Sequence, residues 1–143
     1  MTSTLMHRMA QAQQKRAAQW GRFWQAGGWA GVIATLVLSL MPPTLGGDDT
    51  HIDKLAHLFG YAVLMFWWAQ LVIYQRGKLA IAVILLGVAI EGLQSLTPDR
   101  LPDVLDALAN AAGVLLGWIG ARHTPNLIER FAARYTTLPA PKR

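Results

Sequence analysis

The sequence predicts an all-α fold: a polytopic membrane protein with four transmembrane helices, both termini cytoplasmic, and amphipathic surface helices at the N- and C-terminal ends. Three observations predict it. Hydrophobic residues make up 53% of the 143 residues and charged residues 15%, a balance typical of membrane rather than aqueous domains. The apolar residues gather into four runs close to the ~20 residues that a ~30 Å hydrocarbon layer requires. The basic residues, finally, segregate onto alternate connections. Length fits one domain, read as a basic amphipathic N-terminal segment (1–23), a four-helix transmembrane domain (24–120) and an amphipathic C-terminal tail (121–143).

The N-terminal segment does not read as a secretory signal peptide, because its charged region is long and no small-residue cleavage site follows the first apolar run. Leu5, Met9, Trp20, Phe23 and Trp24 recur at near-helical spacing, with Arg8, Lys15, Arg16 and Arg22 between them. That pattern predicts a basic amphipathic helix on the membrane surface. The first span runs from about Trp24 to Met41 and stops at Pro42-Pro43, which cannot continue a helix. After the loop PTLGGDDTHID, the second span covers Lys54 to Tyr74. YQRGK makes a tight basic turn, and the third span runs from Leu79 to Leu96, ahead of Thr97-Pro98. Pro102, suited to a first helical turn, opens a fourth span that continues to about Gly120. Beyond it, Leu127, Ile128, Phe131 and Tyr135 line one side of a short amphipathic segment.

Placing the N-terminus in the cytoplasm puts Arg8, Lys15, Arg16, Arg22, Arg76, Lys78, Arg122, Arg130, Arg134, Lys142 and Arg143 inside and leaves only Lys54 and Arg100 outside. This is the positive-inside pattern. Trp20, Trp24, Trp29, Trp67, Trp68 and Trp118 all fall toward the same cytoplasmic side, where an aromatic belt belongs. The net charge of +5 is thereby explained by topology and gives no reason to invoke nucleic acid. With no cysteine, disulfides, thiolate metal sites and a cysteine nucleophile are excluded.

The acids collect at the opposite end. Asp53, His57 and Tyr61 are spaced by four and share one helical face, with Lys54 beside them. Glu91 lies seven residues before Pro98, about 10 Å below the outer end of its helix, with Gln94 one turn nearer the surface. Near the bilayer centre a carboxylate costs on the order of 3 kcal/mol on insertion scales, so intramembrane acids mark function. On the fourth helix Asp103, Asp106, Asn110, Gly113 and Gly117 make one stripe, preceded by Arg100. The Gly113/Gly117 pair is a GxxxG, suited to close helix approach or a helix partner.

Three motifs in order, Asp53-Lys54-x-x-His57-x-x-x-Tyr61, Glu91-x-x-Gln94 and Arg100-x-x-Asp103-x-x-Asp106-x-x-x-Asn110-x-x-Gly113, resemble the VanZ-like family of small bacterial membrane proteins. The family is named for a protein associated with teicoplanin resistance. The resemblance covers Asp53 to Gly120 and implies a location in the bacterial inner membrane, not a reaction.

The convergent polar residues predict an outward-facing vestibule for an anionic or polyprenyl-phosphate-linked cell-envelope ligand, bound and in one version translocated, with an effect on glycopeptide susceptibility. Lys54 and Arg100 would hold the head group, and Asp53, His57, Tyr61, Glu91, Gln94, Asp103, Asp106 and Asn110 would complete the site. The alternative is an intramembrane hydrolase or transferase, with His57 and Asp53 or Glu91 as acid and base or the carboxylates and His57 around a divalent metal. No metal motif and no H-E-x-x-H or G-x-S-x-G pattern is present, so no cofactor is assigned. A non-catalytic assembly partner, using the glycine face, is the remaining reading.

Overall fold

The computed structural model describes residues 2–41, 50–96, 103–124, 127–128 and 130–131. It is all-helical, with four long helices: α1 (Thr2–Leu40), α2 (Thr50–Leu71), α3 (Arg76–Gln94) and α4 (Val104–His123). Three are long and apolar enough to cross a membrane: α1 over Thr4–Leu40, α3 and α4. α2 is not among them. Lys54, His57 and Gln70 interrupt its apolar run, and its position explains why this is tolerated. It packs against α1, α3 and, most extensively, α4, so its polar groups meet protein rather than lipid.

Local contacts set several helix bounds. Asp103 caps α4, its carboxylate accepting the Leu105 N–H at 2.8 Å, which satisfies one of the donors that a helix start leaves open. The basic turn expected around Arg76 is the first turn of α3. There Arg76 Nε donates to the Ala69 carbonyl at 3.0 Å, closing the last turn of α2. The expected division at residue 23 is not marked by any break, for α1 is one helix of 39 residues, about 58 Å long at 1.5 Å per residue. Pro42, Pro43, Asp48, Asp49, Pro98, Asp99, Arg100, Pro102, Glu129 and Tyr135 lie outside the described residues.

The helices alternate in direction. One end of the bundle gathers Ser39 of α1, Asp53 of α2 and Gln94 of α3 with Asp103 before α4, and Gln94 Nε2 donates to the Ser39 carbonyl at 2.6 Å. At the other end the Trp67 indole N–H donates to the Trp24 carbonyl at 2.8 Å, and the two rings lie against each other, tilted by 39° with centroids 4.2 Å apart. Between the ends the core holds Tyr61, Leu64, Met65, Ala69, Val83, Val114 and Ala121. The outward faces of the helices stay apolar, with Ile33, Val63, Ile81, Leu85, Leu108 and Leu115 all exposed, as lipid rather than water requires.

Close approach of α2 and α4 depends on two glycines. A Cβ placed at Gly113 would run into the Leu58 carbonyl oxygen and lie 3.1 Å from Ala62 N; at Gly117 it would collide with the Ala62 carbonyl and stand 2.9 Å from Met65 Cβ. Backbone therefore meets backbone, as small residues at membrane helix contacts allow.

Candidate functional site

Because α2 and α4 run side by side in the same direction, their first turns face each other. Lys54 Nζ lies between two aspartates, 2.5 Å from Asp103 Oδ2 and 2.9 Å from Asp106 Oδ1. Asp103, outside the apolar span that begins at Val104, has its carboxyl held below the usual range by the Lys54 ammonium and by the Leu105 N–H. Lys54 is thus engaged by two carboxylates and does not present a free ammonium. Its ammonium ties α2 to α4 as an interhelical ion pair.

One turn deeper, His57 and Asn110 are both buried and join across the helices, Nδ1 to Oδ1 at 3.0 Å. The amide oxygen only accepts, so Nδ1 is the donor, and Nε2 is the ring nitrogen left facing the polar end. Nε2 points toward Asp53 Oδ1, 3.9 Å away. The expected Asp53, His57, Tyr61 stripe therefore exists, but it divides: the Asp53 side chain is 53% exposed, whereas Tyr61 is buried in the core.

A second polar group stands against α3. Beside Gly87 of α3 a Cβ would meet the Tyr61 ring at 3.2 Å and Asn110 Nδ2 at 3.3 Å, so this glycine lets both side chains lie flat against α3. Glu91, one turn further along the same face, completes the group. Tyr61 Oη, Asn110 Nδ2 and Glu91 Oε1 are all buried without a hydrogen-bond partner among the described residues. Gln94 is turned away from this cluster, to the end of α1. Arg100 lies outside the described residues.

α1 and α2 enclose a cavity of about 580 Å³, within the range of small-ligand pockets. Gly27, Gly28, Gly31, Ala34 and Thr35 form its α1 wall; Phe59, Gly60, Val63 and Leu64 form much of its α2 wall. It extends from Trp67 to Asp53 and His57, about 21 Å along α2 at 1.5 Å per residue. Phe59 and Val63 on its rim are exposed, so it opens sideways, toward lipid. It is apolar along its length and polar at one end.

A family model described as VanZ/LLP1 matches residues 3–128. The chain belongs to the VanZ/LLP1 family. The match extends well beyond the motifs on α2 to α4 and takes in nearly all of α1. No curated protein and no solved structure matches the chain. Family membership together with the three apolar helices points to a membrane protein.

Reading the sequence for chemistry missed the α1 wall. The signal was there: Gly27-x-x-x-Gly31 is a second GxxxG, and Gly28 gives room to the Trp68 indole, which a Cβ would approach to 2.8 Å.

Proposed function

We propose that this VanZ/LLP1-family protein binds a lipid-linked, membrane-embedded amphiphile of the cell envelope, with the tail in the α1–α2 groove and the head group at the Asp53–His57 end. The groove carries this reading, because it joins an apolar channel of about 580 Å³, open toward lipid, to a buried imidazole and an acid. A drug-like solute would favour an enclosed site, whereas a lipid tail enters from the side. With Lys54 paired to Asp103 and Asp106, recognition of the head group falls to Asp53 and His57, with Arg100 a further candidate from the sequence. Translocation and an influence on glycopeptide susceptibility are downstream of such binding and need their own tests.

Gly60 offers a clean probe. It lines the groove, and a Cβ there meets nothing within 4 Å. Gly60→Leu fills the channel without disturbing packing, and leucine favours a helix more than glycine does by about 0.8 kcal/mol. Native mass spectrometry of gently extracted protein is expected to find a lipid retained by the wild type and lost from Gly60→Leu, with thermal stability no lower than that of the wild type. Equal lipid on both proteins would sink the reading.

We further propose the inner membrane as the location, with four spans, both termini cytoplasmic and the Asp53 end outside, on the charge asymmetry of the sequence. The chain has no cysteine, so single cysteines report directly. In intact cells permeable only at the outer membrane, a membrane-impermeant maleimide is expected to label Leu96→Cys and to leave Gly77→Cys unlabelled until lysis; both positions are exposed. The reverse pattern would invert the topology.

A further inference from the structure

We infer that Asp53, His57 and Asp106 form a site for one divalent transition-metal cation at the polar mouth of the α1–α2 groove. One ligand atom from each of the three residues lies within 4.8 Å of the others, and the Asp53 side chain, half exposed, has room to turn toward an ion. Two acids near a histidine would not suffice as an argument. The histidine supplies an independent one.

His57 is 8% exposed, and its Nδ1 is committed to Asn110 Oδ1 at 3.0 Å. Metal-bound histidines characteristically donate their second ring nitrogen in this way, which fixes the tautomer and aims the ligating lone pair. Here Nε2 is the nitrogen left for a ligand, and it faces the Asp53 carboxylate at 3.9 Å. A cation placed between the imidazole and the carboxylate would engage both. Lys54 does not fill that place, because its ammonium sits between Asp103 and Asp106. Asp106 bonds Lys54 through Oδ1, leaving Oδ2 available on the same side chain.

Charge agrees with the geometry. Among the described residues of this mouth, Asp53, Asp103, Asp106 and, from α3, Glu91 surround the single ammonium of Lys54, an acidic setting that suits a divalent cation. One imidazole and two carboxylates suit Zn²⁺ or Mn²⁺, and three protein ligands leave a coordination position open. Asp53 and His57 also line the groove, so that open position is at the groove mouth. There the cation could hold an anionic head group, the task Lys54 is not free to perform. This last role rests on the proposed lipid binding; the metal site does not.

The test uses full-length, detergent-purified protein stripped with chelator and titrated calorimetrically with ZnCl₂ and, separately, MnCl₂. One ion per chain is expected, with binding lost in Asp53→Asn and His57→Ala. Asn110→Ala is expected to weaken it by about 10–100-fold through the lost orientation of His57. Lys54→Met keeps or tightens binding, since it removes a competing cation. Asp53 is half exposed, so Asp53→Asn keeps the fold, and helical content by circular dichroism confirms that in each variant. Wild-type protein that is folded yet binds neither ion saturably, or binding undiminished in Asp53→Asn and His57→Ala, would overturn the site. Lipid retention measured in chelator, with Gly60→Leu as its control, is read separately, so either proposal can fail alone.

Discussion

Gly113→Leu is expected to abolish the folded protein. The position leaves no route for relief, because the added Cβ meets the Leu58 carbonyl oxygen and Ala62 N of α2. Neither belongs to a side chain that can swing aside. Overpacking costs about 1–3 kcal/mol where neighbours can shift; against main chain the two helices must separate along their length. That separation would also break Lys54 from Asp103 and Asp106 and His57 from Asn110, since all these contacts bridge the same pair. Gly92 serves as the control, for a Cβ there meets nothing within 4 Å. Extraction in mild detergent followed by size-exclusion chromatography should give a monodisperse peak for wild type and Gly92→Leu, and aggregate or no protein for Gly113→Leu. A Gly113→Leu variant that elutes and melts like the wild type would mean that α2 and α4 do not meet here.

How far the sequence reveals this arrangement varies with the kind of signal. The Gly113/Gly117 contact is legible because small residues four apart on an apolar helix have few other uses, and the acids of α2 and α4 are legible because polar residues in membrane helices are costly. Their partners are less so. Nothing in the spacing decides whether Lys54 reaches lipid head groups or the Asp103 and Asp106 carboxylates; that depends on α2 and α4 running parallel and in register. Gln94 makes the same point, sharing a helical face with Glu91 yet bonding to the end of α1. The groove is the least legible feature, because a cavity is set by what is missing between two helices. Its glycines on α1 look, one at a time, like ordinary membrane-helix glycines.

The second large effect is expected at Asn110. Its amide oxygen is the partner of the buried His57 Nδ1–H, and its amide nitrogen stands beside Tyr61 against Gly87. Asn110→Ala leaves the histidine donor buried and unsatisfied, at a cost of about 1–3 kcal/mol. Interhelical hydrogen bonds within membranes average nearer 0.6 kcal/mol and reach about 1.7, so a loss of roughly 1–2 kcal/mol is the expected result. The measurement is a double-mutant cycle on thermal unfolding in one detergent, with Asn110→Ala, His57→Ala and the pair. Because each single change removes the same bond, the pair should destabilise by less than the two losses added together. Strict additivity would show that the two side chains do not interact, and the orientation of the His57 ring would lose its physical basis. Coupling, by contrast, would tie the polar mouth of the groove to the α2–α4 contact. Then the same residue that steadies the bundle also orients the imidazole at the site, and changes to the helix pair would be felt by whatever the groove holds.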